Sequence, residues 1–225
     1  MSRAGIKPMG AKKVRISSPG KTLPLIQLPE RLIRISKKSY ADPIHWSKLG
    51  VHRFDSPVTI YGVLYTSNTV ETAILEVFGD QWAEFHEIDS ADLALFDVCE
   101  LLVTSPLKVV DATGRHLNRL GTDSGFFAST DYSKTQAWAR SFMTHHQVPH
   151  GIRYNSRKNP ARINYAVFGT REAQAAIQVE GRYPLPDHPA STGSFFHTTS
   201  RFSKSFEPNG RDSLRGAFWW LECDK

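Results

Sequence analysis

The chain has 225 residues, 40% of them apolar and 22% charged, which suffices for a folded core and excludes a disordered polymer. A net charge of +6 and an isoelectric point near 9.4 suit acidic ligands or partners: phosphates, nucleotides, nucleic acid or an acidic protein surface. Two cysteines, Cys99 and Cys223, exclude a disulfide framework and favour a reducing compartment. No stretch approaches membrane-spanning length, and no apolar run follows the basic N-terminus as in a signal peptide, so a cytoplasmic protein is expected.

In chain order, residues 1–22 are polar and basic and read as a mobile arm. Nucleic-acid binding by that arm is the alternative. Residues 23–225 are expected to form one domain. Leu32 to Ser36 (L-I-R-I-S) looks like a strand with Arg34 facing opposite Ile33 and Ile35. Asp42-Pro43 signals a turn or helix start, with a short helical piece expected around Trp46.

Val51 to Phe78 concentrates the chemistry. Val51 to Asp55 reads as a short extended piece carrying Arg53. Tyr61 to Thr66 reads as a buried strand between Pro57 and Ser67-Asn68. Asn68 to Phe78 reads as a helix, with Asn68 as N-cap and Glu71 closing a capping box. Val70, Ala73, Ile74, Val77 and Phe78 make its apolar stripe, and Glu76 lies on the flank of that stripe. Taken singly, Arg53 suits a surface, Tyr65 a core and Glu76 solvent. A cation, an aromatic strand end and a helix-borne carboxylate in one short unit argue for more.

Downstream, Ala83 to Ile88, Leu95 to Val103 and Leu107 to Val110 are strand candidates. Gly114 to Leu120 holds one or two helical turns, and G-T-D-S-G follows as a loop. Thr130 or Asp131 caps the next helix, whose stripe is Trp138, Ala139, Phe142 and Met143, with His145 and His146 in its last turn. His150 to Asn155, Ile163 to Phe168 and Ala175 to Val179 are further strands, and the chain beyond Tyr183 reads as loose. Phe218, Trp219 and Trp220 are consecutive and cannot all face one core. They either close the core as a last strand buried on both faces or anchor a partner. Strands mixed with helices, without a βαβ repeat, argue for an α+β fold.

Several chemistries lack their motifs. G-x-G-x-x-G after a strand, G-x-x-x-x-G-K-[ST], H-E-x-x-H, paired C-x-x-C and G-x-S-x-G are all missing. Adjacent His145 and His146 would point about 100° apart on a helix, which is poor for shared ligation. No metal is expected.

The ordered pattern I-R-I-S (Arg34), H-R-F-D (Arg53), V-L-Y-T-S-N-T-V-E-T-A-I-L-E (Tyr65 and Glu76), T-Q-A-W-A and G-I-R-Y-N-S-R (Ser156) resembles the RES domain, named for its arginine, glutamate and serine. The resemblance covers Leu32 to Phe168. The Y-x(10)-E and G-I-x-Y-x-S-R units together are its specific part. One departure is Ile35, where many members carry tyrosine.

The resemblance implies an ADP-ribosyltransferase-like mixed sheet with flanking helices. It also implies a toxin of a toxin–antitoxin pair, with an Xre-type antitoxin as partner and nucleic acid reached only through that antitoxin. NAD is the implied substrate, with no cofactor or metal, cleaved at the nicotinamide–ribose bond by hydrolysis or phosphorolysis. The alternatives are mono-ADP-ribosylation of a protein and a basic nucleic-acid-binding or regulatory module without catalysis. In this reading Arg34 and Arg53 hold the phosphates and Glu76 faces the ribose and the developing cation. Tyr65 stacks on or closes over the nicotinamide, and Ser156 bonds the carboxamide or a phosphate.

Overall fold

Strands form where β-branched and aromatic residues alternate, and their pairing produces one mixed sheet. The computed structural model describes residues 22–85 and 87–189. Its strands are β1 (Leu25–Gln27), β2 (Arg31–Lys37), β3 (Val63–Ser67), β4 (Phe96–Val103), β5 (Lys108–Ala112), β6 (Gly151–Asn155), β7 (Ile163–Phe168) and β8 (Ile177–Pro184). Its helices are α1 (Val70–Phe85), α2 (Ser90–Leu93), α3 (His116–Arg119), α4 (Ser124–Ala128), α5 (Ser133–Met143) and α6 (Arg171–Ala176). The sheet order is β1-β5-β6-β7-β3-β2-β4-β8. β5 and β6 run parallel and the other neighbours antiparallel. The fold is α+β. The expected arm, apart from Thr22, and the aromatic segment Gly216–Leu221 lie outside the described residues.

The sheet has a weak seam. β2 pairs with β4 along its whole length, from Arg31 opposite Leu102 to Lys37 opposite Phe96. β3 pairs with β7 over all its residues. Between β2 and β3 the register holds a single pair, Ile33 opposite Ser67.

Side-chain alternation sends two faces of the sheet into separate cores. On one face, Val63, Tyr65, Tyr154, Ala166 and Phe168 pack with Trp138, Ala139 and Phe142 of α5. Further along that face, Ile35 and Val98 pack with the stripe Val70, Ala73, Ile74, Val77 and Phe78 of α1. On the other face, Leu32, Leu64, Cys99, Leu101 and Val167 pack with Ala173 and Ala176 of α6.

Several local expectations are corrected. No helix forms around Trp46. Asp42 accepts the Ile44 amide in a turn, Ser47 bridges Val63, and Trp46 lies over Gly62, where a Cβ would come 2.6 Å from the Trp46 carbonyl oxygen. Val51 to Asp55 is a turn, closed by the Asp55 amide donating to the His52 carbonyl at 3.2 Å. The cap of α1 is Thr69: its hydroxyl accepts the Thr72 amide and its carbonyl the Ala73 amide. Position 72, where a capping box needs Glu or Gln, is threonine.

Ala83 to Phe85 continue α1 instead of starting a strand, because Trp82 extends the helix's apolar contacts. The G-T-D-S-G loop ends in α4, since Asp123 accepts the Phe126 amide as its N-cap. Asp131 holds the first turn of α5 through the Ser133 amide, and His145 and His146 fall beyond the end of that helix. Residues 171–176 are helical, capped by Thr170. β8 then runs on to Pro184, and a short 3₁₀ turn follows over Leu185–Asp187.

Candidate functional site

At the seam, continued antiparallel pairing would place Ile35 opposite Tyr65. The strands part instead, and the Arg34 guanidinium donates from Nη1 to the Tyr65 carbonyl at 3.1 Å. A small open-sided cleft lies here, lined by Arg34, Thr66, Ser67, Glu76, Tyr154 and Asn164 among others. α1 supplies one wall because its cap at Thr69 immediately follows β3. Glu76 is thereby carried two turns along the helix to the cleft.

Glu76 is half-buried and fixed. Its Oε1 accepts from Asn164 Nδ2 at 2.6 Å, and Asn164 Oδ1 accepts from the Ser67 hydroxyl at 2.6 Å. Asn164 and Ser67 are both buried, and a buried amide must find partners. The chain Ser67–Asn164–Glu76 ties β3, β7 and α1 together at the carboxylate. Tyr154 on β6 stands close by. Burial, and then the charge of Glu76, push its phenol well above the usual tyrosine range, so it stays protonated.

Arg53 sits on the turn between β2 and β3. Its guanidinium lies 5.6 Å from the Tyr132 ring centroid and 6.0 Å from that of Tyr154, within cation–π range. Its Nε is buried with no hydrogen-bond acceptor among the described residues. Such a donor is suited to an anionic ligand.

Tyr65 lines the cleft, but its phenol points into the protein, donating to Asp55 and accepting from the Phe54 amide. Ser156 is buried and does not line the cleft. Its hydroxyl oxygen accepts the amides of Lys158 at 3.1 Å and Asn159 at 3.2 Å, which shapes the β6–β7 loop. That loop lays the Lys158 stem across Gly79 and pairs its ammonium with Asp80, one turn beyond Glu76. Burial lowers the Lys158 pKa, and the Glu76 charge opposes this.

The structure therefore gathers Arg34, Tyr65 and Glu76 at one cleft. It puts Arg53 against the same Tyr154 that adjoins Glu76, and sets Ser156 behind a loop. Asn164, Ser67, Tyr154 and Lys158 went unassigned in the sequence. Asn164 had left a signal, since in I-N-Y-A-V-F it alternates with Ala166 and Phe168 on an otherwise apolar face. Among the described residues, no cluster of three or more His, Cys, Asp or Glu is arranged for a metal ion, and no helix is long and apolar enough to cross a membrane.

The family model described as RES domain matches residues 31–188, well over half the chain. No match is found among curated proteins. Among solved structures, the fold is similar to a chain of the crystal structure of the M. tuberculosis MbcT–MbcA toxin–antitoxin complex. That likeness has a TM-score of 0.55 and 18% identity, covering 72% of this chain and 86% of the other.

Proposed function

Because the chain belongs to the RES domain family, we propose that it is a toxin that consumes NAD by breaking the nicotinamide–ribose bond, restrained by an antitoxin protein of Xre type. The observation that carries this reading is Glu76 fixed by Asn164 in a cleft that also holds Arg34 and adjoins Arg53. The chemistry needs little more. Nicotinamide in NAD is already a cationic leaving group. The bond from its ring nitrogen to ribose C1′ breaks with both electrons going to the ring, which departs neutral. Water or phosphate then adds at C1′ and releases a proton. The transition state is oxocarbenium-like, so a fixed carboxylate stabilises it without reorganising.

Arg34 and Arg53 suit the pyrophosphate, since guanidinium pairs with phosphate oxygens bidentately. Glu76 suits the ribose and the developing charge. Ser156, its oxygen committed to the β6–β7 loop, contributes by holding that loop beside α1. The structural neighbour comes from a toxin–antitoxin complex, and by that analogy the partner here is an antitoxin. A cytoplasmic location goes with this reading, because NAD and such a partner would both be met there.

Purified protein incubated with NAD, with and without phosphate and with no acceptor protein, tests the proposal. Free nicotinamide with ADP-ribose or its 1-phosphate is the expected result. Turnover only when an acceptor protein is added would make it a mono-ADP-ribosyltransferase. No turnover in either case, with binding of nucleic acid lost on removal of residues 1–22, would favour the non-enzyme reading.

A further inference from the structure

Asp55 is a carboxylate at 0% exposure, and no cation among the described residues pairs with it. Burying such a group is costly unless hydrogen bonds replace its water. Two do. The His52 amide donates to Oδ2 at 3.0 Å, and the Tyr65 hydroxyl donates to Oδ1 at 2.9 Å. The same hydroxyl accepts the Phe54 amide at 3.0 Å. One phenol thus grips both residues that follow Arg53. On the other side of Arg53, Gln136 of α5 donates from Nε2 to the carbonyls of Gly50 and His52, at 2.8 and 2.9 Å. The Tyr65 backbone meanwhile accepts from Arg34.

We infer that Tyr65 and Asp55 form a buried positioning unit that sets two arginines, one in the cleft and one beside it: Arg34 through the Tyr65 carbonyl, and Arg53 through the Tyr65 hydroxyl and the Asp55 carboxylate. Tyr65 then acts by holding the cations, and stacking on the nicotinamide is not its role. The inference rests on the NAD reading for the ligand the arginines hold. Burial, and then the charge of Asp55, keep the Tyr65 phenol protonated far above neutral pH, so its hydroxyl retains the proton it donates to Asp55. Spacing favours the unit too. H-R-F-D puts the gripped residues at the two positions after the arginine, so the turn that carries Arg53 is held by hydrogen bonds on both sides of it.

The test uses the full-length chain. NAD dissociation constants, KM and kcat are measured for the wild type, Tyr65→Phe, Asp55→Asn and the double variant, with hydrogen exchange over residues 50–60. Tyr65→Phe keeps the ring and removes only the hydroxyl. Weaker NAD binding of about tenfold is expected in each single variant, in the range of losing one hydrogen bond to a charged group. The change should fall on Kd and KM with kcat little altered. The double variant should be no worse than the worse single, because both remove one coupled unit. Faster exchange at the Phe54 amide should accompany the loss.

A folded Tyr65→Phe protein that binds NAD like the wild type would overturn the inference. So would a double variant whose loss is the product of the singles. If Asp55→Asn does not fold, Tyr65→Phe decides alone. A wild type that binds no NAD would sink the substrate reading instead. Exchange at Phe54 then still judges the unit, and unchanged protection in Tyr65→Phe would refute it.

Discussion

Glu76 owes its orientation to one amide, and that makes its charge separable from its position. Glu76→Gln keeps the size and an oxygen for Asn164 Nδ2 while removing the charge. NAD turnover should fall by about 10²-fold or more, the range typical of losing one preorganised stabiliser, with the melting temperature little changed. Turnover near wild type in the folded variant would exclude the role. A second residue-scale prediction concerns Cys99, buried on β4 between β2 and β8 with its thiol pushed up to about 11, chiefly by burial. In the unfolded chain the thiol ionises near its ordinary value of 9.0, so its contribution is complete below that pH and is lost as pH rises toward 11. The difference is on the order of 2 kcal/mol. Cys99→Val should therefore lose less stability than the wild type between pH 9 and 11 in urea titrations. Identical slopes would mean the thiol is not sequestered. Arg34, Arg53, Tyr65 and Glu76, the residues proposed for the site, stand out in the sequence because a family pattern fixes their spacing. Asn164 and Ser67 were harder to see, because a buried polar side chain is informative only once its partner is known, and Asn164 meets Glu76 across 88 positions of sequence.

At the scale of elements, the β3–α1 corner decides where Glu76 arrives. A cap at Thr69, one residue later than the Asn68 expected, shifts the helix start but leaves its phase unchanged, because the apolar stripe sets the phase. Thr69→Ala should cost ~1 kcal/mol, the usual loss for a threonine cap, and lower NAD turnover modestly through fraying of the first turn. Asn68→Ala should cost less, since its side chain takes only a long 3.5 Å bond from the Thr72 hydroxyl. Equal costs measured in urea melts would return the cap to Asn68. Strand β7 could be read to the residue because it is a short, nearly continuous apolar and aromatic run buried on both faces, with turn residues before it and Gly169 after it. The end of α1 was misread because A-E-F alternates like a strand, and the helix continues there on packing by Trp82, not on local pattern. α6 escaped because six residues hold too little periodicity to outweigh the β-branched run that follows.

Among the described residues the sheet is two halves whose strands pair only at Ile33–Ser67, with α1 lying over the junction on one face and the shared core of Leu32, Leu64, Leu101 and Val167 on the other. Nothing local in the sequence announces this, since β3 finds β7 about a hundred residues downstream and β2 finds β4 across α1 and α2. The arrangement places one arginine on each side of the seam: Arg34 on β2, and Arg53 in the loop gripped by Tyr65 of β3. A dianionic pyrophosphate bound by both would bridge the halves, and its binding energy would add to the cohesion of the fold. By mass action, NAD at a hundred times its dissociation constant should stabilise the protein by about 2.7 kcal/mol. Hydrogen exchange should slow on both sides of the seam together, in residues 31–37 and 63–67, when NAD is added to the Glu76→Gln protein so that substrate persists. Arg34→Lys should reduce the protection on both sides, because a point charge replaces the fork that ties them. Protection confined to one side, or a melting temperature indifferent to NAD, would show that the ligand does not span the seam and that the two arginines serve different partners.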